Sequence, residues 1–160
     1  GVCGKASIEA VHASEIPELE ENNPIVKSSI FYQLPETLKE KQSLFEQTGG
    51  LHAAALFDQN GHLILVKEDI GRHNAVDKLI GTMLLNDELP LSNFLILVSG
   101  RAGFELVQKS LMAGIPIMAA VGAPSSLAVH LAKESGMTLI GFLKKDRYNV
   151  YSQGQRILME

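Results

Sequence analysis

Four short stretches concentrate side chains that can bind or react. Glu68-Asp69-Ile70-Gly71-Arg72-His73-Asn74 joins two carboxylates, a glycine, an arginine and a histidine. Ser99-Gly100-Arg101 repeats the glycine–arginine step, Gly122-Ala123-Pro124-Ser125-Ser126 brings two hydroxyls, and Lys144-Lys145-Asp146-Arg147 brings three cations. The planar fork of Arg72 or Arg101 can grip phosphate through two parallel bonds. Gly71 and Gly100 let backbone approach a ligand closely. His73 adds a donor or acceptor that titrates near neutrality. Together these types describe a pocket for a phosphorylated small molecule.

Plainer roles compete at each position. Ser125 or Ser126 serves most simply as a helix N-cap, and Asp69 can cap the helix at Arg72 in the same way. Gly71 and Gly100 also suit tight turns. His52 begins a run of small residues, His52-Ala53-Ala54-Ala55, and reads equally as a structural histidine or as one facing a ligand. His12, His62 and His130 read as exposed. Cys3 stands in Gly1-Val2-Cys3-Gly4-Lys5, where a nearby lysine would raise the reactive thiolate fraction. A lone cysteine is more often buried filler, but flanking glycines argue against burial.

The elements that must position these residues follow from periodicity. Leu38, Leu44 and Phe45 predict a helix over Glu36–Gln47, ended by Gly49 and Gly50. Leu51–Asp58 and His62–Lys67 read as strands joined at Asn60-Gly61. Val76, Leu79, Ile80, Met83 and Leu84 predict a helix from Arg72. Phe94–Val98, Ile115–Val121 and Thr138–Leu143 are apolar runs typical of strands covered on both faces. Helices over Ala102–Met112 and Ser126–Glu134 separate them, and Arg147–Tyr151 with Arg156–Leu158 suggest a closing hairpin around Gly154. This order predicts a three-layer α/β/α fold with a mixed sheet. Ligands in such a sheet bind outside the strands' carboxyl ends, where the four stretches fall.

Residues 1–30 read as an arm with an acidic linker, Glu15, Glu18, Glu20 and Glu21 clustering around Pro17 and Pro24, and residues 31–160 as the α/β/α domain. Of the 160 residues, 46% are apolar and 20% charged, and the net charge is −4. That balance suits a soluble globular chain and excludes a general nucleic-acid binder. Met112–Pro124 is too short and too interrupted to span a bilayer. One cysteine allows no internal disulfide, and the default compartment is the cytoplasm.

At this point the residues resemble a known family. Cys3-Gly4-Lys5, Thr48-Gly49-Gly50-Leu51-His52-Ala53-Ala54, Glu68 through Lys78, Ser99-Gly100-Arg101-Ala102 and Ala123-Pro124-Ser125-Ser126-Leu127-Ala128 are similar to the FdhD/NarQ formate dehydrogenase accessory proteins. The resemblance implies a cytidine deaminase-like fold and a sulfur carrier, a sulfurtransferase. It would take persulfide sulfur from a cysteine desulfurase and pass it to the molybdenum cofactor, as Mo-bis-molybdopterin guanine dinucleotide, for formate dehydrogenase. It also implies a homodimer, no membrane partner and no protein-ligated metal. The family pattern is Cys-x-x-Cys-Gly. Cys3 matches the second cysteine, and the first would precede Gly1, so the chain is expected to be a fragment lacking the family's N-terminal part, and the resemblance leaves both cysteines as candidates to bear the persulfide. The family's cofactor-binding stretch corresponds to Phe142, Leu143, Lys144, Lys145, Asp146 and Arg147, with Asp146 standing where glycine is frequent.

Two rivals are weighed against this. A zinc-dependent deaminase needs a Pro-Cys-x-x-Cys pair, which one cysteine cannot supply. A binding module, a cofactor or guanine-nucleotide chaperone that never transfers sulfur, is the alternative.

Overall fold

A computed structural model describes residues 16–42 and 50–160. In chain order the elements are β1 (Val26–Lys27), α1 (Ser28–Gln42), β2 (His52–Asp58), β3 (Leu63–Asp69), α2 (Arg72–Leu85), β4 (Phe94–Val98), α3 (Phe104–Met112), β5 (Ile117–Ala120), α4 (Ser126–Ser135), β6 (Thr138–Gly141), β7 (Asn149–Ser152) and β8 (Ile157–Leu158). Six strands form one sheet in the order β3-β2-β4-β5-β6-β7. β4, β5 and β6 run parallel, β2 is antiparallel to both its neighbours, and β7 is antiparallel to β6.

Alternation along the central strands divides the interior into two cores. Ala54, Leu56, Ile96, Val98, Met118, Ala120 and Leu139 face α2, α3 and α4. Ala53, Ala55, Phe57, Leu95, Leu97, Ile117, Ala119 and Ile140 face α1, β1 and β8. The alanines of β2 let helices approach on both faces. The result is the expected three-layer α/β/α arrangement with a mixed sheet. The β2–β3 turn places Gly61 at φ 82°, with the Gly61 N–H donating to Asp58 O.

Two local expectations are corrected. The helix expected over Glu36–Gln47 runs over Ser28–Gln42, with Pro35 inside it. Proline removes one helical donor there, but the buried face of Phe31, Leu34 and Leu38 holds the helix together. Residues 43–49 lie outside the described residues, and α1 passes through the division drawn at residue 30. The closing hairpin does not form. β7 pairs with β6, where Ser152 Oγ accepts from Leu139 N and donates to Met137 O. β8 instead pairs in parallel with β1, seating Ile157 beside Val26. Strands of two residues are too short to carry a readable period.

The acidic side chains of Glu18, Glu20 and Glu21 are exposed as expected, yet their backbone is tied down. Arg156, 1% exposed, donates to Glu20 O, Asn23 O, Gly136 O, Pro116 O and Thr138 Oγ1 at 2.7–3.4 Å. Ile16 and Leu19 pack against the core on the α2–α4 side of the sheet. This buckle sits at the amino ends of β5 and β6, opposite the rim that carries the four polar stretches. Among the described residues no helix is long and apolar enough to cross a membrane.

Candidate functional site: a cationic cleft at the sheet rim

Because β2 runs against β4, His52 at the start of β2 lies beside Gly100, just past the end of β4. A Cβ on Gly100 would stand 3.1 Å from His52 Nδ1. Glycine here admits the imidazole. The next loop is zipped onto the same rim. Gly122 N donates to Gly100 O, Ala102 N donates to Ala123 O, and Ser125 N donates to Ala102 O, each at 3.0–3.2 Å. Phe142 N then donates to Gly122 O. Three chain segments, distant in sequence, are thus joined by backbone bonds at the carboxyl ends of the parallel strands.

A cleft of about 400 Å³ opens there. It is lined by Arg72, Arg101, Gly103, Phe104, Pro124 and Ser125, among others. α2 and α3 start with glycine N-caps, Gly71 and Gly103, and neither start has a side-chain cap bond. Their first N–H groups and positive dipole ends are therefore available to an anion. α4 differs, because Ser125 Oγ accepts from Ala128 N at 3.1 Å. The capping role weighed for Ser125 is the one it plays, although the residue also borders the cleft.

The turn into α2 is held by Asp69. Its Oδ1 accepts from Gly71 N at 3.0 Å and from Asn74 Nδ2 at 3.3 Å. Its Oδ2 pairs with Lys78 Nζ at 2.7 Å, and Lys78 also donates to Glu68 O at 3.0 Å. Lys78 above all, with the Gly71 N–H, holds the Asp69 carboxyl down at about 2. Asp69 thus fixes the turn before the helix and leaves the helical N–H groups free. Burial pushes the neighbouring Glu68 carboxyl up. His73 Nε2 lies 3.2 Å from Glu105 Oε2, tying the start of α2 to the start of α3. Arg72 Nε is buried without a hydrogen-bond partner.

The remaining expected residues fall in different places. Ser99 Oγ accepts from Ala53 N at 2.9 Å, so its hydroxyl stitches β2 to the end of β4. Ser126 borders a separate shallow groove on α4 with His130, Lys133 and Glu134. Leu143 is 1% exposed, and its side chain belongs to the α1-side core. Phe142, Lys144 and Arg147 line a second cleft of about 280 Å³, together with Tyr148 and Asn149. Phe142 has φ 53°, a left-handed conformation uncommon for a bulky residue, and its ring is 43% exposed. Lys144 N donates to Arg147 O, closing the turn that carries the exposed Lys145 and Asp146. Burial raises the Tyr148 phenol pKa, and its hydroxyl donates to Ser28 O. Cys3 and His12 lie outside the described residues.

Sequence reasoning missed Gly103, Phe104, Tyr148 and Asn149 as lining residues. Phe104, 3% exposed, both packs in the core on the α2–α4 side and lines the cleft.

Comparison with known proteins identifies the family and the fold. The FdhD/NarQ family pattern matches residues 1–158. A relative from Streptomyces coelicolor, named sulfur carrier protein FdhD, is 53% identical over 160 residues, covering 99% of this chain and 57% of its own. One of the same name from Saccharolobus solfataricus is 46% identical over 157 residues, covering 98% and 59%. The chain therefore spans a little over half the length of these curated relatives. A crystal structure named as a formate dehydrogenase accessory protein, from Desulfotalea psychrophila, superposes with TM-score 0.80 at 34% identity, over 90% of this chain and 60% of that one. A guanine deaminase from Nitrosomonas europaea superposes with TM-score 0.58 at 15% identity, over 79% of this chain and 84% of that one, which shows a shared deaminase-type fold. By its sequence along almost its whole length, and by its fold, the chain belongs to the FdhD/NarQ family.

Proposed function

We propose that this chain is the cofactor-binding and sulfur-bearing part of a sulfur carrier serving formate dehydrogenase. The observation that carries the reading is the cleft where Arg72 and Arg101 meet two helix starts without side-chain caps, in a chain whose curated relatives are named sulfur carriers. Its substrate is the molybdenum cofactor in its bis-molybdopterin guanine dinucleotide form. The arginines and free N–H groups suit the pyrophosphate, with the Phe142–Arg147 turn beside it.

The sulfur step is thiol exchange at Cys3. The Cys3 thiolate attacks the terminal sulfur of a persulfide on a cysteine desulfurase. A new sulfur–sulfur bond forms at Cys3, the donor's bond breaks, and the donor leaves as a thiolate that takes up a proton. The loaded sulfur then passes to the bound substrate, which supplies the electron pair for the new bond to that sulfur while the sulfur–sulfur bond breaks and Cys3 leaves as a thiolate, before the substrate enters the formate dehydrogenase catalytic subunit. The reading includes a cytoplasmic site of action and a homodimer, checked by fractionation and by light scattering.

The test uses the full-length protein. After incubation with a desulfurase and cysteine, mass spectrometry should find one added sulfur on wild type and none on Cys3→Ser. Replacing Arg72 and Arg101 together by Ala should weaken GDP binding at least about tenfold while leaving sulfur loading intact. GDP binding without any sulfur loading would leave a nucleotide-binding chaperone in place of a carrier. Sulfur loading on Cys3→Ser would remove Cys3 from the mechanism.

A further inference from the structure

No acid lines the cleft, but carboxylates stand beside both helix starts that open on it, Asp69 before α2 and Glu105 in the first turn of α3, which presents an electrostatic difficulty. Asp69 stands three residues before Arg72, and an ionised carboxylate there opposes any phosphate drawn to the start of α2. The turn nonetheless needs an acceptor, since Gly71 N–H has Asp69 Oδ1 as its partner. The structure resolves the conflict with Lys78. Its ammonium reaches back along α2 to Asp69 Oδ2 at 2.7 Å and is held in place by Glu68 O. Glu105, the carboxylate at the start of α3, stands against His73. Asp69 and Glu105 therefore each have a basic group on them, burial alone acts on the Glu68 carboxyl, whose Oε2 has no hydrogen-bond partner, and Arg72 and Arg101 border the cleft itself.

We propose that Asp69 and Lys78 are positioning residues for the anion site: Asp69 shapes the Gly71–Arg72 turn, and Lys78 cancels the charge that this shaping introduces. The inference rests on the reading that the cleft takes a diphosphate. It assigns to Lys78 a role through field rather than contact, since Lys78 is absent from the residues lining the cleft.

A double-mutant cycle on the full-length protein, with Asp69→Asn and Lys78→Met as its single variants, separates this role from a merely structural one. The probe is inorganic pyrophosphate, its affinity read by titration calorimetry, with thermal melting recorded for every variant. Lys78→Met leaves Asp69 uncompensated and should weaken pyrophosphate binding about fivefold. Lys78→Arg, which keeps the charge, should stay within about twofold of wild type. Asp69→Asn combined with Lys78→Met removes both charges but keeps the Oδ1 acceptor, and should recover affinity to within about twofold of wild type. That recovery should occur even though the double variant melts no higher than Lys78→Met. A structural brace predicts the reverse, with binding and melting falling together and the double variant weakest. If wild type fails to bind pyrophosphate, the diphosphate reading falls and takes this inference with it. If wild type binds and Lys78→Met binds equally well, or the double variant shows no recovery, the inference alone is overturned.

Discussion

Individual side chains here do work that their exposure alone would not suggest. Arg156 is a fully buried cation whose guanidinium is surrounded by backbone carbonyls, and burial lowers its pKa. Arg156→Met keeps much of the volume but strips donors from several carbonyls at once. Each orphaned buried acceptor costs about 1–3 kcal/mol, so a loss of roughly 3 kcal/mol is expected in urea unfolding. Asp69 makes a different prediction, in pH. Its carboxyl sits at about 2 in the fold against an ordinary 3.8, through Lys78 first and the Gly71 N–H second. A pKa depressed by folding means stability that is present above the ordinary value and lost as pH falls toward the folded one. Acid unfolding followed by circular dichroism should therefore be steeper between pH 3.8 and about 2 in wild type than in Asp69→Asn.

The elements meet at the rim with little space to spare, and glycines mark where. A Cβ on Gly141, the last residue of β6, would lie 2.6 Å from Pro124 Cδ and 2.8 Å from the Tyr151 ring. Pro124 lines the cleft, so the contact links the end of β6 to the site. Gly141→Ala should cost about 1–3 kcal/mol in urea unfolding and should also weaken GDP binding, because Pro124 must shift. The cap of α4 provides a contrast. Ser125→Ala removes the acceptor for Ala128 N and should cost about 1 kcal/mol. Its effect on GDP binding should be much smaller than that of replacing Arg72 and Arg101, since the hydroxyl is already engaged with the helix.

Taken whole, the molecule is two cores separated by one sheet. Val107 is fully buried on the α3 side and Leu34 on the α1 side. Each replaced by Ala should destabilise by roughly 1–4 kcal/mol. The two losses should add to within about 0.5 kcal/mol, because the sheet stands between them and they share no core cluster. A shortfall from additivity beyond that margin, in urea unfolding of the double variant, would show that the sheet transmits strain across its two faces.

Much of this was written in local pattern. Phe94–Val98 was legible to the residue because a continuous apolar run needs cover on both faces, and the helix from Arg72 because its apolar side chains recur every three or four positions. The glycine–arginine steps at 71–72 and 100–101 were legible as junctions at the sheet rim, and the structure brings both arginines to one cleft. Local pattern could not show that β8 returns to β1, nor that Pro35 sits inside a helix. A two-residue strand has no period, and a proline's cost is outweighed only by partners far along the chain. Nor could it divide the cationic residues into two clefts, bury Leu143, or aim Lys78 at Asp69. Composition and periodicity determined which elements form and which end of the sheet carries the charge. Tertiary packing alone decided which side chains share a space, because that depends on loops meeting across a sheet edge, and no sequence spacing encodes it.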